Sequence, residues 1–413
     1  MGTNIFILIL VTLISLYSCA SKKDNQKHDP RIIDVAGSIG GGRVVNLSEI
    51  ASEINFIPLE TNDKSLLGTP YRGLFYENGL VNFLEVKSHS FMLKIFDKNG
   101  EFVRQFNRCG RGPQEYERIS RLQIESSTGN LILKSFDKII EYTSDGKFVR
   151  CVNFKNNMQL SGYTFGAFYK LAENNYFLSV IMDKAKDYSG VAIDTVSTIK
   201  QLVKYPEIEK KLVKELSRSY AFNEPYMYKY RDSIRLINGV NDYVLNIDKD
   251  LNIDTAFIIN YGQYKIKKDY VTYRNGSNSP FINRFNEIFE SNDYLFMQFH
   301  LGSLAHKPSE ARSGSGEKIS FPISCAIFNK TTGIFTFADQ PAYDQMGFAD
   351  DLEGGPAFWP SYISEDDYMV SYINAADFIN HSKNEGCSEK FKQIASKLKE
   401  TDNPVLVMVK LKN

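Results

Sequence analysis

From Ile54 to the end of the chain, short apolar runs rich in β-branched and aromatic residues alternate with clusters of Gly, Asn, Asp and Glu. Runs of this length, bounded this way, predict antiparallel strands rather than helices. One unit recurs, an acidic or amide-rich turn followed by an apolar strand. It reads Glu77-Asn78-Gly79-Leu80-Val81, Thr128-Gly129-Asn130-Leu131-Ile132-Leu133, Glu173-Asn174-Asn175-Tyr176-Phe177-Leu178, Asn241-Asp242-Tyr243-Val244-Leu245, Ser291-Asn292-Asp293-Tyr294-Leu295-Phe296 and Glu365-Asp366-Asp367-Tyr368-Met369-Val370. Six occurrences predict about six structural units.

A second pattern shows what each unit is. Phe96-Asp97-Lys98-Asn99-Gly100-Glu101-Phe102-Val103-Arg104 returns 46 positions later as Tyr142-Thr143-Ser144-Asp145-Gly146-Lys147-Phe148-Val149-Arg150, with a weaker copy from Ile327 to Phe335. Asn-Gly and Asp-Gly supply the positive φ of a tight hairpin turn, so each copy reads strand, turn, strand. A hairpin period in the forties is that of a four-stranded propeller blade, and such blades must close on one another to cover their faces. The fold class expected is therefore all-β, a six-bladed β-propeller with short helical insertions. The strands Ile54–Leu59 and Val405–Leu411 lie near the two ends and are expected to meet in one blade and close the ring.

Two insertions have helical spacing. Pro206–Leu216 opens with Pro and Glu and repeats Ile208, Leu212 and Leu216. Ser388–Leu398 has Ser as N-cap and repeats Phe391, Ile394 and Leu398.

The N-terminal pattern is different. Ile5–Leu16 is a run of twelve residues interrupted in polarity only by Thr12 and Ser15. A spanning helix needs about 20 such residues, so this run has the length of a signal-peptide core instead. Leu16-Tyr17-Ser18-Cys19 follows it and resembles the lipobox of bacterial lipoproteins, which implies cleavage before Cys19 and lipid attachment to its thiol. The polar stretch from Ala20 to Pro30 has nothing to bury and reads as a flexible tether. The expected division is 1–18 signal peptide, 19–30 tether and 31–413 propeller.

Composition narrows the partners. Lys plus Arg equals Asp plus Glu at 49 each, so no net charge steers the protein to nucleic acid, and no nucleic-acid partner is expected. Beyond Cys19, the residues Cys109, Cys151, Cys325 and Cys387 stand far apart without C-x-x-C spacing. They read as isolated core or loop cysteines, although four thiols also permit three pairings.

Taken together, Ile54–Leu59, Phe96–Arg104, Gly110–Tyr116, Asn241–Gly262, Asp351–Pro356 and Asp402–Leu406 resemble the six-bladed β-propeller lipoproteins of Bacteroidetes, related in shape to NHL-repeat and TolB-like propellers. The resemblance spans nearly all of the chain after Cys19. It implies an outer-membrane lipoprotein facing the periplasm or the cell surface, held to the membrane by its lipid. It carries over no catalytic residue.

Catalytic signatures are missing from the sequence. There is no H-E-x-x-H, no G-x-S-x-G and no Walker-type G-K-[ST]. Gly37–Gly42 lacks the following helix that a phosphate cradle needs. His300 and His306 have no further metal ligands nearby in sequence. No metal, no cofactor and no catalytic residue are expected.

Two loops concentrate binding chemistry. Arg108, Arg111 and Glu115 lie on a glycine-rich segment where guanidinium forks suit an anionic sugar or carboxylate. Asp350, Asp351 and Glu353 flank Trp359, the only tryptophan, and offer oxygen ligands for calcium or a face for sugar stacking. The function expected is a non-enzymatic module that binds a protein or a glycan. The alternative is a propeller hydrolase or lyase acting on glycans through its carboxylates, the run Glu365–Asp367 among them.

Overall fold

The computed structural model describes residues 31–412, apart from 69–70, 88–89, 155–156, 183–186, 207–209, 211–224, 239–241, 268–279 and 322. Arg31–Asn413 forms one compact unit. Two strands open it, β1 (Arg31–Asp34) and β2 (Ala51–Pro58). Blade 1 is β3 (Tyr71–Glu77), β4 (Leu80–Lys87), β5 (Ser90–Asp97) and β6 (Phe102–Phe106). Blade 2 is β7 (Arg121–Ile124), β8 (Leu131–Ser135), β9 (Lys138–Tyr142) and β10 (Phe148–Asn153). Blade 3 is β11 (Thr164–Ala172), β12 (Asn175–Met182), β13 (Tyr188–Asp194) and β14 (Ile199–Lys204). Blade 4 is β15 (Tyr226–Tyr230), β16 (Ser233–Ile237), β17 (Tyr243–Ile247) and β18 (Ile253–Asn260), with β1 added in parallel to β18.

Blade 5 is β19 (Asn283–Glu290), β20 (Tyr294–His300), β23 (Ile323–Asn329) and β24 (Phe335–Ala338). The hairpin β21 (Ser309–Arg312) and β22 (Lys318–Phe321) is inserted into it. Blade 6 is β25 (Tyr362–Ile363), β26 (Tyr368–Ile373) and β27 (Val405–Leu411), with β2 as its outermost strand. Ile54 pairs with Val409 and Phe56 with Val407, so the two ends of the chain meet and close the ring as the sequence predicts.

Sequence dictates which strands are buried. β8 is buried along its whole length and β9 nearly so, because neighbouring blades cover both of their faces, whereas the outer strand β6 alternates. Six hydrophobic clusters result, one at each junction between blades. Charges buried at these junctions are matched. Glu141 of blade 2 meets Lys170 of blade 3 at 3.3 Å and Arg150 at 3.2 Å.

A recurring turn joins the third and fourth strands of the blades. Asp97 Oδ1 accepts from the amides of Asn99 and Glu101, Asp194 Oδ1 from Val196 and Thr198, and Asp248 Oδ1 from Asp250 and Asn252. In blade 1 this turn docks on the outer strand of the blade before it. A Cβ on Gly100, at φ 86°, would sit 2.3 Å from the Pro58 carbonyl oxygen, so only glycine fits.

Two helices are inserted between β26 and β27, α1 (Ala375–His381) and α2 (Glu389–Ala395). α2 is the helix expected from Ser388 onward. The Ser388 hydroxyl caps it by accepting from the Phe391 amide at 3.1 Å, and Phe391 stacks on Phe378 of α1 at 3.9 Å. Apart from Pro206 and Lys210, the other expected helix, Pro206–Leu216, lies outside the described residues. Among the described residues no helix is long and apolar enough to cross a membrane.

Candidate functional site: the axial channel

The first strand of each blade is a sheet edge, so six backbone edges and their side chains surround the axis. A cavity of about 650 Å³ runs along it, walled by residues of β3, β7, β11, β15 and β19 and by Ser361–Glu365 around β25. Every inner strand runs in the same sense. The channel therefore has one end where these strands start and another where they finish.

The finishing end is crossed by side chains. Lys229 of blade 4 donates to Glu365 of blade 6 at 2.6 Å, and because these blades are not neighbours the ion pair spans the axis. Beside it the Tyr362 hydroxyl donates to Glu77 of blade 1 at 2.8 Å. Tyr169, from blade 3 on the far side, stands close enough to bear on the ionisation of Tyr362. Burial pushes the Glu77 carboxyl up to about 7 against the opposing hydrogen bond from Tyr362, and Glu365 raises it further. On the rim outside, the Arg231 Nε donates to Asn292 Oδ1 at 3.2 Å, and the Asn292 amide donates to Asp367 at 3.2 Å.

At the starting end the chemistry is aromatic and cationic. Tyr71 meets Tyr372 edge-on at 5.2 Å, and burial pushes the Tyr71 hydroxyl up to about 12. Arg284 lies over the Tyr226 ring at 4.7 Å. Arg121 is exposed and donates to the Ser120 carbonyl at 3.4 Å.

The structure keeps the two loops singled out by sequence apart from each other and from the cavity wall. Arg108, Arg111 and Glu115 belong to the β6–β7 connection. The Tyr116 amide donates back to the Arg108 carbonyl at 3.1 Å, Glu115 accepts from the Gly112 amide at 2.8 Å, and Arg111 faces Glu117 at 3.6 Å in solvent. In the β24–β25 connection the carboxylates diverge. Asp350 accepts from the amides of Leu352, Glu353 and Gly355, Asp351 from the Ser48 amide and hydroxyl, and Glu353 from the Ser388 hydroxyl. Trp359 packs on Phe348 at 5.3 Å. Asp350 braces its own loop, and Asp351 and Glu353 tie that loop to the segments of Ser48 and Ser388. Among the described residues, no three His, Cys, Asp or Glu side chains converge as a metal site would require. Cys109, Cys151, Cys325 and Cys387 are all free thiols.

Of the acidic residues put forward for binding or catalysis from the sequence, Glu365 alone reaches the cavity. Glu77, Arg121, Lys229, Arg231, Arg284 and the tyrosines were not singled out. A signal for them existed: most lie in the strand just before one of the recurring turns.

Fold and channel together define a six-bladed β-propeller whose axis is a tyrosine-walled cavity with charged groups at both ends. The chain belongs to the family described as Domain of unknown function (DUF4934), which matches residues 30–410. A Bacteroides fragilis NCTC 9343 chain named as an exported protein superposes with TM-score 0.62 at 18% identity, covering 92% of this chain and 100% of that one. A member of the duf4221 family from Bacteroides vulgatus superposes with TM-score 0.48 at 14% identity, over 88% and 98% of the two chains. No curated protein matches the sequence.

Proposed function

We propose that the protein is a cell-envelope lipoprotein that binds a protein or glycan ligand at its axial channel without turning it over. The observation that carries the reading is the channel itself. A cavity of about 650 Å³ walled by aromatic rings and a few placed charges is the usual form of a ligand site. Tyrosines give flat faces for stacking and hydroxyls for hydrogen bonds at small entropic cost. The lipobox-like Leu16–Cys19 and the exported neighbour of the same fold support the envelope location.

Two experiments test this. Ser361→Trp places an indole against the cavity wall. The native protein is expected to bind a subset of ligands on a glycan or peptide array, and the variant to lose those signals by about tenfold or more. Identical profiles for the two proteins would rule out the channel as the site. Cys19→Ala is expected to move the protein from the membrane to the soluble fraction, and continued membrane association of that variant would refute the lipid anchor.

A second reading, a glycan hydrolase or lyase, has one observation in its favour. Burial pushes the Glu77 carboxyl up to about 7, and the ion-paired Glu365 stands beside it in the same cavity; acid–base cleavage uses two carboxyl groups. Glycan turnover by the native protein, lost in Glu77→Gln, would establish it over simple binding.

A further inference from the structure

Four side chains from three blades meet where the inner strands finish. The Tyr362 hydroxyl of blade 6 donates to Glu77 Oε1 of blade 1 at 2.8 Å, and Lys229 of blade 4 donates to Glu365 of blade 6 at 2.6 Å. All four line the cavity. Glu77 is set there by its strand, as the last residue of β3, paired with Leu80 across the Asn78-Gly79 turn. Tyr362 takes one of its oxygens. Among the described residues the other, Oε2, makes no hydrogen bond. Beyond Tyr362, the ionisable groups that bear on Glu77 are Glu365 and Asp366 of blade 6, Lys229 of blade 4 and Tyr76 of its own strand.

This cluster matches one kind of ligand group. A hydroxyl both donates and accepts, and here it meets both roles: Lys229 and the acid form of Glu77 donate, while Glu365 and the Tyr362 oxygen accept. An ammonium would be set against Lys229, and a carboxylate against Glu77 and Glu365. A cavity of about 650 Å³ admits a small ligand or a chain end rather than the face of a folded protein. Tyr71 and Tyr372, half-buried in the same wall, offer rings against which the apolar side of a pyranose can lie.

Accepting that the channel is the ligand site, we propose that it takes an uncharged sugar, with Glu77 donating a hydrogen bond from its carboxyl to one ring hydroxyl beside Lys229 and Glu365. Sugar binding and protonation of Glu77 are then linked. Burial raises this carboxyl to about 7, with Glu365 and Asp366 adding to the rise and Tyr362 and Lys229 opposing it. Below that value the donor is in place. As the pH rises through it, the donor is replaced by a second carboxylate next to Glu365, and affinity falls.

Calorimetric titration of the full-length, detergent-solubilised protein with cellobiose, maltose and lactose tests this, because none of these probes ionises between pH 5.5 and pH 8.5. At least one is expected to bind, at least tenfold more tightly at pH 5.5 than at pH 8.5, with a proton taken up on binding near pH 7. Glu77→Gln keeps a donor and an acceptor without the ionisation, and is expected to bind the same sugar equally at both pH values. Tyr362→Phe removes the bond that opposes protonation, and is expected to move the midpoint of the affinity profile to higher pH. Several results overturn the role of Glu77: equal affinity of the native protein at the two pH values, tighter binding at pH 8.5, a pH dependence that persists in Glu77→Gln, or an unshifted midpoint in Tyr362→Phe. Binding of none of the three sugars overturns the ligand class. The Ser361→Trp comparison tests the channel separately, so sugar binding that vanishes in that variant yet ignores pH refutes this inference alone.

Discussion

Glu77 is the last residue of β3, 5% exposed, with the Tyr362 hydroxyl 2.8 Å from its carboxyl. Its pKa in the folded chain is about 7, against an ordinary value of 4.5. Because the folded-state value is the higher one, the folded protein holds a proton that the unfolded chain has released between those limits. The associated stability is fully present below pH 4.5 and is lost as the pH rises through 7. A separation of this size corresponds to about 3 kcal/mol. Glu77→Gln keeps a carbonyl oxygen to accept from Tyr362 and removes the ionisation. Urea unfolding is expected to show the variant more stable than the native protein at pH 8 by about 2–3 kcal/mol, with the two close at pH 4.5. Parallel pH profiles for the two proteins would contradict the burial argument. The buried Glu141 makes the contrast: its charge is matched by Arg150 of its own blade and by Lys170 across the blade junction, whereas no cation makes a salt bridge with Glu77 among the described residues.

The strand-and-turn repeat was legible at the level of elements wherever glycine marked it. The third-to-fourth-strand turn is visible in sequence at Gly100, Gly146 and Gly333. The same turn exists in blades 3 and 4, where Ser197 (φ 63°) and Leu251 (φ 67°) hold the left-handed position that glycine holds elsewhere. There the aspartate side chain fixes the turn, and the pattern disappears from view. The acidic turn between first and second strands was found correctly in five blades. In blade 4 that turn is Arg231-Asp232, and the expected signal at Asn241–Asp242 precedes β17 instead, so the count of six was right while one assignment sat a strand too late. α1 was missed because it is a single short helix held by Phe378 packing on Phe391, not by its own periodicity. The channel was illegible for a different reason. Its wall takes a few residues from each of six blades, spread from Tyr71 to Tyr372, and no local window contains two blades.

The ring is closed by β2 against β27, yet the chain does something further before β2 begins. β1 lies parallel along β18, the outer edge of blade 4. The following residues run along blade 5, where the Arg43 amide donates to Phe337 and Asp339 donates back to Arg43 at 2.8 Å. Val45 and Leu47 then exchange backbone bonds with Ala349 on the way to blade 6. This N-terminal strap hides backbone edges that would otherwise invite pairing with another chain. It also buries Ile33, Val35, Val45 and Leu47 to 1% exposure or less, each worth about 1.5–3 kcal/mol. Closure and strapping are therefore separate contributions, and truncation separates them. A chain beginning at Ile50 keeps β2 and is expected to fold with one cooperative transition at a lower melting temperature, and to self-associate through the uncovered edges of blades 4 and 5. A chain beginning at Leu59 lacks β2, leaves β27 as an open edge, and is expected to lose cooperative unfolding. Circular dichroism melts with light scattering on both chains distinguish the two roles. If the first truncation unfolded like the native protein and stayed monomeric, the strap would contribute neither stability nor edge protection.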